Sequence, residues 1–157
     1  MKIERSKILF IGIFLLLTFV LVFFFFQVVF LSEEKRIGRM IHAAQSAFEN
    51  EDPELLTGVL SKDYQDDMGF DVHGIREGFH EIFSLFEEIK VTLDKMEIAI
   101  KDEEAEVQLA LWVLAKNEGQ TMFLIGSLNN PDHYTLILKK DEGEWKIVRS
   151  FQEIMSR

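Results

Sequence analysis

The feature that most constrains this chain is a long apolar run near its N-terminus. From Ile8 to Leu31, only Gly12, Thr18 and Gln27 interrupt 24 residues of aliphatic and aromatic side chains. As a helix this run would extend about 36 Å, which is enough to cross a hydrocarbon core of roughly 30 Å. A helix of this length on the surface of a globular domain has a polar face, and this run has none. The sequence therefore predicts a single transmembrane helix over 8–31.

A cleaved signal peptide is the alternative interpretation of the same run. The apolar region of a signal peptide covers only about 7–15 residues and precedes a cleavage site of small residues. Here the run is longer, and it ends in Val-Val-Phe-Leu-Ser-Glu-Glu without an Ala-x-Ala pattern. We therefore expect an uncleaved anchor that holds the protein in the lipid bilayer through Ile8 to Leu31.

The charges that flank the run bear on its orientation. The positive-inside count is tied, with three cations on each side: Lys2, Arg5 and Lys7 before the run, and Lys35, Arg36 and Arg39 after it. The tail 1–7 is too short to fold, and its cations adjoin the run. This favours a signal anchor with a short cytoplasmic tail and an exported domain. The expected location is a bacterial inner membrane, with residues 32–157 on the periplasmic or extracytoplasmic side.

The remaining domain, residues 32–157, is strongly acidic. It carries 14 Lys and Arg against 26 Asp and Glu, a formal charge of −12. Nucleic acid is excluded as a partner, because its phosphate backbone requires a basic surface. The chain has no cysteine, which excludes a disulfide framework, thiolate metal ligands and a cysteine nucleophile. We expect no metal and no cofactor.

The spacing of apolar residues divides this domain into helices followed by strands. Helices are predicted over 32–49, 53–60 and 75–89, with a polar loop at 61–74. Alternating apolar residues then predict five strands, over 91–100, 105–115, 120–128, 134–140 and 144–151. The alternation slips by one residue at Asp94-Lys95, which indicates a β-bulge. This order predicts an α+β domain in which about three helices pack on a curved, mainly antiparallel sheet.

From Ile37 to Glu153 the order of elements resembles the nuclear transport factor 2-like superfamily. The resemblance rests on the segments LSKDYQDDMGFDVHGIREGFHEIF and EIKVTLDKMEIAIKDEEAEVQLALWVL and on a final strand with GEWKIV. Members of this superfamily are cone-shaped α+β domains with a cystatin-like fold, and they include ketosteroid isomerases, polyketide cyclases and many small bacterial proteins. The resemblance implies a membrane-anchored bacterial member with a pocket between the concave sheet and the third helix. It also implies that two copies can pair through the sheet.

Reactive side chains are concentrated in the predicted loop, which contains Tyr64, Asp66, Asp67, Asp71 and His73. An isomerase-like site needs a carboxylate base and an acidic hydrogen-bond donor opposite it in an apolar pocket. Tyr64, Asp71 and His73 are therefore the candidate catalytic residues. The competing interpretation, which we favour, is an acidic surface loop with one tyrosine turned inward.

Two other groups of side chains have the chemistry of binding sites. His73, Glu77 and His80 have the chemistry of metal ligands, but their spacing matches no metal motif and favours solvated side chains. The candidate lining of a pocket for a small apolar ligand is aromatic: Tyr64, Phe79, Phe83, Trp112 and Phe123. Aromatic residues at such positions more often form an ordinary core.

Three functions remain compatible with the sequence. The favoured hypothesis is a membrane-tethered, non-enzymatic domain that binds a small ligand or a partner protein, or helps an envelope complex to assemble. The second is an enzyme of the isomerase, cyclase or dehydratase kind that acts on an apolar substrate. The third is a subunit of a secretion apparatus, in which a single span precedes such a domain.

Overall fold

The computed structural model describes residues 5–153, with side chains at 14–23 and 33–153. The chain forms two compact units, Met1–Lys35 and Arg36–Arg157. The described part of the first unit is helical and belongs to α1 (Arg5–Glu49). Within the part of the chain that the structure describes, we find no helix of the length and apolar character that a membrane crossing requires.

The second unit is an α+β domain. After α1, the chain forms α2 (Pro53–Gly58), β1 (Leu60–Asp66), α3 (Val72–Leu85), β2 (Glu87–Lys101), β3 (Glu104–Asn117), β4 (Gln120–Ile125), β5 (Asp132–Asp141) and β6 (Glu144–Glu153). The side chain of Asp52 caps α2 by accepting a hydrogen bond from the Leu55 amide, and Pro53 occupies its first turn. The predicted α+β class is confirmed.

The six strands form one curved sheet of mixed direction. The strand order is β1-β6-β5-β3-β2, and β4 pairs with the far half of β3. Only the β1–β6 pair is parallel, so the sheet is mainly antiparallel, as predicted. The register of β2 against β3 shifts between Leu93 and Lys95, which confirms the predicted bulge.

One face of this sheet packs against the helices and holds the core; we call it the inner face. Val107 and Leu138 lie there with no exposed surface, and Ile37 of α1 is equally buried against them. The buried and exposed residues alternate along β3 because successive side chains of a strand point to opposite faces. The opposite, outer face carries Trp112 and Leu114, among others.

The structure corrects the predicted loop at 61–74. Its first part is β1, which pairs with β6, and its last part is the first turn of α3. The strand has only one fully buried side chain, that of Tyr64, so it lacks the alternation that reveals a strand in a sequence. Asp71 caps α3 by accepting a hydrogen bond from the Gly74 amide, so the helix begins at Val72 and not at Ile75.

The end of α3 also differs from the prediction. Phe86 and Ile89 continue the helical spacing of apolar residues, but the helix ends at Leu85 and Ile89 lies in β2. Glu88 between them has a φ of +49°, which is outside the helical region. Here a short segment satisfies both a helical and an alternating pattern, and the pairing of β2 with β3 decides between them.

Gly126 directly follows β4, at a point where no other residue fits. Its φ is +55°, and a Cβ atom would lie 2.7 Å from the Asp132 nitrogen and 2.9 Å from the Leu111 carbonyl oxygen. The absence of a side chain therefore lets the chain pass close to β3 before β5 begins.

Candidate functional site

An apolar pocket of about 190 Å³ lies between the helices and the inner face of the sheet. It is lined by Ile41, Ala44, Gln45 and Phe48 of α1, Leu56 of α2, Val91 and Leu93 of β2, Leu109, Leu111 and Val113 of β3, Ile125 of β4, Leu136 of β5 and Ile147 of β6. Among these lining residues only Gln45 has a polar side chain. The pocket thus has the apolar lining of a small-molecule site, but with almost no polar group directed into it.

The amide of Gln45 is already engaged by its own protein. Its Nε2 donates to the carbonyl oxygen of Val91 at 2.9 Å, and its Oε1 lies 3.1 Å from Nδ1 of His42. One turn further along α1, Oε1 of Glu49 accepts a hydrogen bond from the Val91 amide at 2.9 Å. These contacts fix α1 to β2 and satisfy the polar groups on this side of the pocket. A ligand in the pocket would therefore contact hydrocarbon side chains.

An aromatic cluster borders the pocket on the side of α3. The ring of Phe48, which lines the pocket, contacts Phe79 and Phe83 edge to face, with centroids 5.7 and 5.3 Å away. Phe79 and Phe83 were predicted as lining residues, but they lie behind Phe48 and are not among the residues that line the pocket. Such edge-to-face packing stabilises the wall beyond the area that it buries.

The other predicted aromatic lining residues lie elsewhere. Trp112 and Phe123 contact each other edge to face at 6.0 Å between ring centroids, on β3 and β4. Trp112 lies between the half-buried Leu111 and the buried Val113, which face inward, and Phe123 pairs with Leu114, so both rings belong to the outer face.

Beyond the pocket, the inner face becomes polar; we call this region the polar end and define it by Tyr64, Tyr134, Ser150, Asp67 and Asp132. Three cross-strand pairs join it to the pocket: Leu111 with Asp132, Leu109 with Tyr134, and Leu136 with Ser150. Directly opposed side chains have Cβ atoms about 4.5–5.5 Å apart. The polar end therefore begins immediately beside the apolar lining.

Tyr64 is the most buried member of the polar end. Its side chain is only 5% exposed, and its hydroxyl lies 2.7 Å from Oγ of Ser150. Burial raises the pKa of Tyr64 because it disfavours the phenolate; the charges of Asp66 and Asp67 act in the same direction, and the Ser150 hydrogen bond opposes them. Tyr64 is therefore a neutral hydrogen-bonding residue at ordinary pH.

Tyr134 is half-buried next to two carboxylates. Burial is the main cause that raises its pKa, followed by the charges of Asp132 and Asp67. Gln152 holds both acids in place: its backbone amide donates to Oδ2 of Asp67 at 3.3 Å, and its Nε2 donates to Oδ2 of Asp132 at 3.2 Å. The polar end thus combines neutral hydroxyls with negative charge.

The remaining predicted catalytic residues are not brought together with Tyr64. The carboxylate of Asp71 is used by the cap of α3, and His73 is largely exposed and pairs with Glu77 at 3.3 Å. Asp66 accepts hydrogen bonds from the amides of Met68 and Phe70 at 3.0 and 2.7 Å, which shapes the turn after β1. Each of these side chains has a local structural contact.

No metal site can be built from the described residues, because among them no three His, Asp or Glu side chains converge.

The sequence patterns did not identify the residues that line the pocket, although one of them, Gln45, carries a signal in the sequence. Gln45 lies four residues after Ile41, so it occupies the apolar stripe of α1. A polar residue on an apolar stripe indicates a position with a specific partner.

A wide groove of about 810 Å³ lies on the outer face, across β1, β5 and β6. Ile137, Val148 and Phe151 supply its apolar surface, and several lysines and acids surround them. Lys139 pairs there with Glu104 at 2.8 Å, and this hydrogen bond lowers the pKa of Glu104. The groove is separated from the apolar pocket by the thickness of the sheet.

A curved mixed sheet covered by helices on one face, with a pocket between the two layers, defines the nuclear transport factor 2-like fold, also described as cystatin-like. The chain has this fold, as solved structures show. It is similar to a protein from Salmonella enterica serovar Typhimurium of the nuclear transport factor 2-like superfamily, with a TM-score of 0.65 and 16% identity over 78% of this chain and 91% of the other.

Two proteins of Novosphingobium aromaticivorans are equally similar in structure. One, proposed to be a scytalone dehydratase, has a TM-score of 0.67 and 16% identity over 80% of this chain and 86% of its own. The other, proposed to be an aromatic ring hydroxylase, has a TM-score of 0.68 and 16% identity over 81% and 92%. At such identities the likeness shows the fold alone. No protein-family model matches the chain, and no curated protein matches its sequence.

Proposed function

We propose that this protein is a membrane-tethered, non-enzymatic domain that binds a small apolar ligand in the pocket on its inner face. The observation that carries the proposal is the lining of that pocket, which consists of aliphatic and aromatic side chains and one amide that is already hydrogen-bonded. Acid–base catalysis needs a titratable group within hydrogen-bond reach of the substrate. Among the described lining residues none is titratable, so the pocket is suited to binding.

The size of the pocket limits the ligand. An apolar cavity of about 150 Å³ in another protein holds one benzene molecule. A pocket of about 190 Å³ therefore suits a single aromatic ring or a short alkyl chain. Such a ligand would gain roughly 25 cal/mol for each Å² of apolar surface that it buries.

We propose the membrane tether from the sequence, and the exposed side chains of the first unit support it. The apolar run Ile8 to Leu31 has the length and composition of a membrane span. In the described part of this unit, large apolar side chains from Phe14 to Phe23 are between 46% and 70% exposed, a surface that a bilayer would cover. The hydroxyl of Thr18 donates to the carbonyl oxygen of Phe14 at 2.9 Å, so it needs no partner outside the helix.

Fractionation of cells tests the tether. The full chain is expected in the membrane fraction after a wash at alkaline pH, and a chain that lacks 8–31 is expected in the supernatant. A reporter that is active only outside the cytoplasm, fused to the C-terminus, is expected to be active. A full chain that is released by the wash would contradict the tether, and an inactive reporter that is well expressed would contradict the exported orientation.

A titration with benzene tests the pocket. We expect the methyl resonances of Leu111 and Val113 to shift saturably in NMR spectra of the full chain in phosphatidylcholine nanodiscs. The methyl groups of Leu114, on the other face of the same strand, are expected to stay unchanged. Equal shifts on both faces would indicate non-specific partition and contradict the proposal.

The enzymatic alternative draws on the polar end. Two tyrosines, a serine and two carboxylates lie beside the pocket, and hydroxyl and carboxylate groups can act as acid and base. The similarity to a proposed dehydratase is compatible with this chemistry. A bound ligand with an oxygen within about 3 Å of both the Tyr134 hydroxyl and a carboxylate would favour an enzyme.

We also propose that two copies pair through the outer face. Phe123 is 44% exposed there, and the groove around Ile137 and Phe151 offers further apolar surface. Sedimentation of the full chain in detergent is expected to show a dimer, and Phe123→Glu is expected to shift it towards the monomer. A monomeric wild-type chain at all accessible concentrations would exclude this pairing.

A further inference from the structure

The polar end lies where the polar group of a ligand in the pocket would reach. Leu111 pairs with Asp132, Leu109 pairs with Tyr134, and all of these side chains are on the inner face. On the next pair of strands, Leu136 pairs with Ser150, whose hydroxyl is bonded to Tyr64. A ligand whose hydrocarbon part contacts the three leucines therefore meets hydroxyl groups and carboxylates at one side of the pocket.

The charges at this side are of one sign. Asp67 and Asp132 are both held by Gln152, which pairs with Tyr134, and among the described residues neither acid forms an ion pair with a cation. The whole domain carries −12, so its long-range field also repels anions. The guanidinium of Arg76, which reaches α2 from α3, is held by Oγ1 of Thr57 at 3.1 Å and by Glu54 at 3.8 Å.

We propose that the pocket selects its ligand by charge: it accepts an apolar molecule with a neutral or cationic polar group, such as an alcohol or an amine, and rejects one with a carboxylate. This inference rests on the proposed binding function and adds the chemical class of the ligand. The hydroxyls of Tyr134 and Ser150 supply donors and acceptors to a neutral group, and Asp132 and Asp67 attract a cation. A carboxylate there would be a third negative charge beside the half-buried Asp132 and the exposed Asp67, and both would repel it.

Three ligands with the same six-carbon chain test this selectivity: 1-hexanol, hexylamine and hexanoate. Each is titrated at pH 7 and low salt into the full chain in phosphatidylcholine nanodiscs, and binding is followed by the methyl resonances of Leu111 and Val113. We expect hexanol and hexylammonium to bind, and hexanoate to bind at least tenfold more weakly than hexanol. Added salt should narrow the difference between the three ligands.

Removal of the charges provides the decisive variants. Asp67→Asn with Asp132→Asn keeps an oxygen that can accept from Gln152, so the local hydrogen bonds can persist. We expect this double variant to bind hexanoate at least fivefold more tightly than the wild type, with hexanol affinity unchanged. Asp63→Asn is the matched control, because Asp63 lies on β1 but borders the outer groove. It is expected to leave all three affinities unchanged.

The outcomes separate this inference from the function on which it rests. If hexanol binds but hexanoate binds equally well, or if the double variant leaves hexanoate unchanged, the charge selection is wrong and the apolar pocket stands. If none of the three ligands shifts the pocket methyl groups, the binding function itself fails, and the selectivity fails with it. If Asp63→Asn has the same effect as the double variant, the selection comes from overall charge and not from the polar end.

Discussion

The inner face of the sheet has two neighbouring regions with opposite properties. The apolar pocket offers space, but its one polar side chain is bonded to Val91 and His42. The polar end has hydroxyls and carboxylates, but its most buried member, Tyr64, is packed in the core and its hydroxyl is hydrogen-bonded to Ser150. The pocket and the side chains that could take part in a reaction are therefore adjacent, but they do not form one site. The proposed binding function rests on this difference. The difference also predicts which substitutions should change ligand affinity, stability or both.

The largest effect is expected from placing a charge in the pocket. Val113→Asp should lower the free energy of unfolding by about 3–5 kcal/mol, because a buried charge without a partner is strongly destabilising. It should also abolish binding of hexanol. Leu114→Asp, one residue further on the same strand but on the outer face, should cost about 1 kcal/mol or less. Urea unfolding of the full chain in nanodiscs, followed by the fluorescence of Trp112 and Trp145, measures both. Equal losses would mean that the two faces do not differ as described.

A smaller effect is expected from filling the pocket. Ala44 lines it, whereas Ala47 on the same helix is 1% exposed and does not. Ala44→Leu should reduce hexanol affinity at least tenfold and leave the unfolding free energy unchanged or raised by about 1 kcal/mol. Ala47→Leu should destabilise by about 1–3 kcal/mol through overpacking. Retention of full hexanol affinity in Ala44→Leu would place the ligand outside the pocket.

The contrast between the two regions was only partly visible in the sequence. The amphipathic spacing of α3, the alternation of β3 and the bulge at Asp94-Lys95 are local patterns, and local patterns specify helices, strands and their irregularities. The sequence predicts a loop in place of β1 because a polar edge strand exposes most of its side chains. Its position depends on pairing with β6, some 85 residues away, which no local pattern encodes.

The candidate site was harder to predict than the fold. Tyr64 was singled out correctly as an inward side chain, but its partner Ser150 comes from the last strand. Trp112 and Phe123 are candidates for the pocket lining because they are aromatic, with an ordinary core as the favoured alternative, and the two-residue period of β3 directs Trp112 to the outer face. The pocket is lined mainly by aliphatic residues from seven elements, and only the folded domain brings them together.

The smallest effect is expected at the polar end itself. Tyr64→Phe should lower the unfolding free energy by about 1 kcal/mol, the worth of one buried hydrogen bond, and leave hexanol affinity within about twofold. The variant also tests the pH dependence. Because the pKa of Tyr64 is raised in the folded state, its contribution to stability is complete below pH 10 and decreases as the pH rises through the folded pKa.

The unfolding free energy of the wild type should therefore fall more steeply above pH 10 than that of Tyr64→Phe. Some decline will persist in the variant, because the pKa of Tyr134 is raised as well. Ser150→Ala, which removes the hydrogen bond but keeps the phenol, serves as the control and should retain the steep decline. Identical pH profiles for the wild type and Tyr64→Phe would show that Tyr64 is not buried as described.

The most direct test of the binding function is the position of a bound ligand. Intermolecular nuclear Overhauser effects between 1-hexanol and the isotope-labelled full chain in nanodiscs report which protons are within about 5 Å. We predict contacts from the terminal methyl group of hexanol to Val113 and Leu111, and from the carbon that bears the hydroxyl to the ring of Tyr134. Contacts to Trp112 and Phe123, without any to Val113, would place the ligand on the outer face and contradict the account.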